Sequence, residues 1–224
     1  MSQLRNDREI ILHNLNTSSK NMIKMPLSSV KIYHHNSKPL GYSFGEWSAR
    51  WWQWLLVIPK SLNPAMDSSG QNASIGQSDS KVFFLCQTIE NVEQQPSRRI
   101  SVHRGTSVFL PIINWISNFY EHGKTERELI EIATERMDVI GNLKLKWNGT
   151  NIQELEKYRF RSKFFTVKLP KDNILDLPAG KARLISDGYW VFTKPIVTDT
   201  RLSTFGTCSS GITKIGVDYS IKII

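Results

Sequence analysis

The chemically suggestive residues begin at Gly41-Tyr42-Ser43-Phe44-Gly45, which has the G-x-S-x-G spacing of a nucleophile elbow. In such an elbow a sharp turn lifts the serine hydroxyl clear of the backbone, and the amides of the following helix steady an oxyanion. His103 or His122 would serve as base and Asp187 would orient it, giving a serine hydrolase of esters or lactones. The same serine has a second use. Ser43 and Glu46 are spaced as a capping box, in which the hydroxyl is occupied by the first turn of a helix. The chain around them also lacks the strand–helix alternation of an α/β-hydrolase. Capping is therefore the favoured role of Ser43, and hydrolysis the alternative.

A second group of residues suggests binding rather than catalysis. Trp47, Trp51, Trp54, Leu55 and Ile58 recur at helical spacing and make one apolar face, whose simplest use is core. Arg50 and Trp52 fall off that stripe. Together with Glu46, Gln53 and Asp67 they would line a pocket where a small polar or anionic ligand stacks on indole. A non-catalytic binding protein with this pocket is the leading functional expectation. Glu46 and Arg50 at i, i+4 also suit an ordinary helix ion pair.

Other chemistries receive less support. Lys144, Lys146, Arg159, Arg161 and Lys163 alternate with apolar residues and would form a positive face if their strands paired. No aromatic side chain is interleaved on that face, so nucleic acid is not a favoured partner. His34 and His35 are adjacent and would point to opposite sides of a strand, while His13, His103 and His122 are scattered. No Cys or His pair has ligand spacing, so no metal is expected. Without a Walker loop or dinucleotide fingerprint, no cofactor is expected either. Cys208 sits in a turn with nothing nearby in sequence to activate its thiol. Whether it meets Cys86 is left open.

The elements that must hold these residues are readable from periodicity. A short helix at Asp7–Leu15 and a Ser/Asn-rich linker at Asn16–Ser29 make residues 1–29 a flexible segment, ahead of a single domain over 30–224. Val30–His34 reads as a strand. A capped helix runs from about Gly45 to Ile58 and stops at Pro59. Strands follow at Lys81–Gln87, Arg99–Val102 and Thr106–Leu110. Thr125 and Glu128 cap a second helix, with Leu129, Ile132, Ala133, Met137 and Ile140 on its core side. The period then changes to two. Asn148-Gly149 marks a hairpin, Asp187-Gly188 a further tight turn, and Ile215, Val217, Tyr219, Ile221 and Ile223 one face of a last strand. The fold class expected is mainly β: an antiparallel, jelly-roll-like β-sandwich with two flanking helices.

The segments GEWSARWWQW (45–54) and DGYWVFTKP (187–195), with the Asn63-Pro64 to Gly70 loop between them, resemble a family of uncharacterised bacterial and archaeal proteins. The resemblance runs from about Tyr42 to the C-terminus and implies no activity. It implies that Ala73 and Ile100 stand where secreted members carry a cysteine pair, which suits a reducing compartment.

With 224 residues, 40% of them apolar and 22% charged, the composition is that of a globular chain with a sizeable core. No stretch reaches the length of a membrane span, and the N-terminus lacks the apolar run of a secretory signal, so a cytoplasmic location is expected. The net charge of +9 leans towards anionic partners. Oligomeric state is not set by the sequence.

Overall fold

The alternation in the sequence becomes a pair of five-stranded sheets. The structure is a computed structural model that describes residues 32–88, 95–208 and 213–224. The expected helix at 7–15, the linker at 16–29 and the start of the strand at Val30 lie outside these residues, as do parts of the 91–97 loop and the 207–211 turn.

In chain order the strands are β1 (Val82–Phe84), β2 (Ser97–Val102), β3 (Ser107–Asn118), β4 (Gly141–Trp147), β5 (Thr150–Asn151), β6 (Arg159–Arg161), β7 (Phe165–Leu169), β8 (Gly180–Phe192), β9 (Thr200–Cys208) and β10 (Thr213–Ile223). Helix α1 (Phe44–Leu56) precedes β1, and α2 (Glu126–Asp138) lies between β3 and β4. The first sheet has the order β1-β3-β8-β6, with β7 also on β8; the second is β2-β10-β9-β4-β5. They face each other at Gly206 and Ile113, where a Cβ on the glycine would lie 3.2 Å from that of the isoleucine.

Both sheets are mixed. β1 pairs with β3, and β2 with β10, in parallel; the other strand pairs are antiparallel. The departure from an all-antiparallel arrangement has a topological cause. The chain leaves β1 for the opposite sheet, makes β2 there, and returns to β3, a crossover of the kind parallel neighbours require.

Both helices pack on the first sheet, α1 over β6, β7 and β8, and α2 over β3 and β8. Each begins with a complete capping box. The amide of Glu46 donates to Ser43 Oγ at 3.3 Å, and the amide of Ser43 donates to Glu46 Oε2 at 2.8 Å. Thr125 and Glu128 repeat the exchange at 3.2 and 3.1 Å. Helix α1 carries its tryptophan stripe into an aromatic core: Phe109 stacks on Trp190 at 5.3 Å, and Trp47 meets the edge of Phe192 at 5.1 Å. Among the described residues no helix is long and apolar enough to cross a membrane.

Three readings of the sequence are corrected. Asp187-Gly188 is no turn: both residues lie inside the continuous strand β8, facing Trp115 and Asn114 of β3. Glycine is needed there because a Cβ would come within 2.6 Å of Asn114 Cβ. β3 does not stop at Leu110 but passes through a bulge between Pro111 and Ile113 to Asn118, the irregularity that lets a proline sit in a sheet. His34 and His35 are not on opposite faces. The chain turns there, and their rings lie 4.1 Å apart.

One buried cation went unnoticed in the sequence. Arg98, on the inner face of β2, is 1% exposed. Its Nε donates to the Asp67 carbonyl at 2.7 Å, and Nη1 to the Cys86 carbonyl at 2.7 Å and to the Tyr219 hydroxyl at 2.8 Å. Tyr219 in turn donates to the Cys86 carbonyl at 2.7 Å. Burial pushes the Cys86 thiol and the Tyr219 phenol upward, so both are neutral beside the guanidinium. Arg98→Met will leave these carbonyls short of donors. We expect it to lower the unfolding free energy in urea by about 2–4 kcal/mol, and a loss under about 1 kcal/mol would contradict the role given to the guanidinium.

Candidate functional site

Four tryptophans lie in α1, and three have their indole N–H satisfied. Trp47 donates to the Pro39 carbonyl at 2.9 Å, Trp51 to Leu85 at 2.7 Å and Trp54 to Ile75 at 2.9 Å. Trp52, turned away from the core stripe, has no partner for its Nε1 among the described residues. It is only 7% exposed, so water does not solvate the group freely. Its ring, edge-on to Trp51 at 4.9 Å, forms a wall of a cavity of about 390 Å³.

Two more residues of the same cavity wall carry a buried polar atom without a partner among the described residues: Nδ2 of Asn114 on β3, and Nε2 of Gln87 just beyond β1. A buried polar group left unpaired costs about 1–3 kcal/mol, and three of the six such atoms among the described residues belong to this one wall. The remaining walls are mostly apolar or aromatic, including Trp51, Leu55, Trp115 and Met137.

Residues from the end of β3 and from α2 edge the cavity with charge. The Arg136 guanidinium lies over the Trp115 ring at 4.9 Å, and among the described residues it makes no ion pair. Glu121 accepts from Asn118 Nδ2 at 3.1 Å. His122 Nδ1 accepts from the Asn118 amide at 3.3 Å, which leaves the proton on Nε2. Partial burial, with Arg136 adding to it, lowers the His122 pKa despite the opposing pull of Glu121, so the ring is neutral at pH 7. The cavity therefore offers N–H donors among aromatic walls.

Of the binding residues expected from the sequence, only Trp52 lines this cavity. Glu46 is held by Ser43, which pulls its carboxyl below the usual range. Arg50 does not pair with Glu46 but stacks on Tyr42 at 3.8 Å. Gln53 donates to the Thr166 carbonyl at 3.1 Å and fastens α1 to β7. Asp67 closes its own loop by accepting from the amides of Ser69 and Asn72.

The alternative catalytic set is not brought together by any hydrogen bond. Ser43 donates its hydroxyl proton to Glu46 Oε2 at 2.7 Å. Asp187, buried in β8, takes both of its contacts from Arg159 at 3.2 Å, and Arg159 reaches on to Asp138 of α2. His103 is exposed on the turn between β2 and β3. The expected basic face is also divided: Lys144 and Lys146 stand on β4 in the second sheet, Arg159 and Arg161 on β6 in the first, and these strands do not pair. Residues the sequence did not mark are Gln87, Asn114, Trp115 and Arg136; His122 was marked only as a possible base for Ser43. The signal for two of them was present, as amides inside or beside apolar runs (VFFLCQ, PIINWI).

Two outcomes follow. Ser43→Ala should lower stability by about 1 kcal/mol in thermal unfolding through the lost cap, while the unaltered protein stays unlabelled by a fluorophosphonate probe. The folded state binds the His122 proton less readily than the unfolded chain. Stability should therefore decline as pH falls below about 6.5, and His122→Gln should shrink that decline in pH-dependent melts.

No family model matches the chain, and no curated protein or solved structure matches it either.

Proposed function

We propose that the protein is a non-catalytic binder of a small molecule with an aromatic or aliphatic body and a carboxylate-like head. The observation that carries this reading is that Trp52 Nε1, Gln87 Nε2 and Asn114 Nδ2, all buried and without a partner among the described residues, belong to residues of one cavity wall. A carboxylate has about four lone-pair sites and accepts from several N–H groups at once. Its charge in an apolar cavity needs such donors, and charge-assisted bonds to them are about twice as strong as neutral ones. The neutral His122 adds an Nε2–H, and Arg136 adds positive charge to the lining. The tryptophan walls suit a flat or apolar body, and about 390 Å³ falls within the usual size of a ligand pocket.

The reading is tested with phenylacetate, phenylacetamide and toluene, followed by quenching of tryptophan fluorescence and by calorimetry. The acid should bind more tightly than the amide, and toluene least. Trp52→Phe keeps an aromatic wall and deletes one donor. It should weaken the acid about tenfold while leaving toluene nearly unchanged. Equal affinity of Trp52→Phe and the unaltered protein for the acid would remove the reading.

A further inference from the structure

The outer face of the second sheet carries an arrangement that the cavity does not use. β10 lies between β2 and β9, and its Ser220 is directly opposite Arg99 on one side and Arg201 on the other. Residues directly opposite in neighbouring strands share a face, so the three side chains stand in one row. Two residues on, Lys222 pairs with Ser101 on the same face. All five are exposed. The two arginine Cα atoms are about 10 Å apart across two strand spacings, and Lys222 is about 7 Å further along β10.

Among the described residues, the side chains of Arg99, Arg201 and Lys222 make no ion pair. A solvated sheet face ordinarily mixes the two signs of charge. Here the row lies in an open depression of about 960 Å³ whose single lining carboxylate, Asp199, already accepts from the Ile223 amide at 2.9 Å. The walls are fixed. On one side the Arg99 amide donates to the Ser69 carbonyl at 2.9 Å, and Gly70 sits so close that a Cβ would come within 2.9 Å of the Arg99 carbonyl. On the other, the Asn148-Gly149 turn is locked by two bonds with Arg201, at 2.8 and 2.7 Å.

We propose that this depression is a second binding site, for a small organic diphosphate. Two guanidiniums from flanking strands can converge on adjacent phosphoryl groups as planar forks, with the Ser220 hydroxyl between them and the Lys222 ammonium neutralising further charge. The half-exposed ring of Phe83, in the same lining, offers a face for the attached organic group. The site rests on register and charge alone and does not depend on the tryptophan-walled cavity.

Calorimetry with pyrophosphate tests it, with sulfate for comparison. Pyrophosphate should bind more tightly than sulfate, and its binding should weaken with added salt, because the cations are solvent-exposed. Arg99→Gln and Arg201→Gln should each reduce affinity about tenfold, the worth of a charge-assisted bond. Lys181→Gln, which removes an exposed charge from β8 in the other sheet, should change nothing, and phenylacetate binding should be the same in all three variants. Any of three results overturns the proposal: pyrophosphate binding no tighter than sulfate, a Lys181→Gln loss equal to the arginine losses, or a single-stranded oligonucleotide that binds and is not displaced by pyrophosphate.

Discussion

A guanidinium sealed inside the protein without a bonded carboxylate sets the geometry on both of its flanks. Arg98 spends its hydrogen bonds on main-chain carbonyls and a phenol, so its demand falls on backbone positions. The Cys86 carbonyl receives both Arg98 and Tyr219, which fixes the segment leaving β1 against β2 and β10. Gln87 is the next residue, and its amide is thereby delivered to the tryptophan-walled cavity. On β2 the next residue is Arg99. Because strand side chains alternate, an inward Arg98 requires an outward Arg99, which puts the first cation of the basic row on the open face. The Asp67 carbonyl, bonded to the same guanidinium, holds the loop whose following residues wall that row. One buried charge thus couples the placement of two chemically different surfaces.

Helix α1 uses tryptophan both in the core and in the cavity wall. Indole contributes large buried area wherever it sits, so burial alone separates nothing. An unpaired N–H does not separate the two uses by itself either, because Trp190, fully buried on β8 and outside the cavity lining, also lacks a partner among the described residues. Within α1, Trp47, Trp51 and Trp54 each find a carbonyl. Trp52 lies one step round the helix, equally enclosed, and finds none. With Gln87 and Asn114 it holds unsatisfied hydrogen-bonding capacity that makes the ligand-free protein less stable than a fully paired interior would be. In the binding role proposed above, a ligand acceptor would supply the missing partners.

Much of the fold was legible because its signals are local. Ser43 with Glu46 and Thr125 with Glu128 announce helix starts within four residues, and both boxes form. The Asn148-Gly149 pair closes its hairpin with both residues at positive φ. Val217, Tyr219 and Ile221 alternate into the core as their spacing requires. The failures share a cause: the deciding neighbour is distant in sequence. Gly188 reads as a turn beside Asp187, yet it is there for the close approach of Asn114, more than seventy residues earlier. Arg98 looks like one half of an ordinary basic pair until residues 65–67, 86 and 219 surround it. The site was half legible. Trp52 stood out by its position off the stripe, whereas Glu46 and Asp67 turned out to serve local bonds, Arg50 to stack on Tyr42, and Gln53 to tie α1 to the distant Thr166.

The titratable groups around the cavity bear on whether it could also perform chemistry. General base catalysis needs a group that can take a proton within reach of the ligand. His122 is the natural candidate, but its Nδ1 is engaged by the Asn118 amide, so what remains available is the Nε2–H, a donor. Partial burial, with Arg136 nearby, opposes the charged ring. Glu121, the carboxylate in the lining, is engaged by the Asn118 side chain. A single asparagine thus bonds both His122 and Glu121, while Trp52, Gln87 and Asn114 of the cavity wall keep buried N–H groups that find no partner among the described residues. In the proposed binding role it is these N–H groups, and not a proton acceptor, that meet an electron-rich ligand.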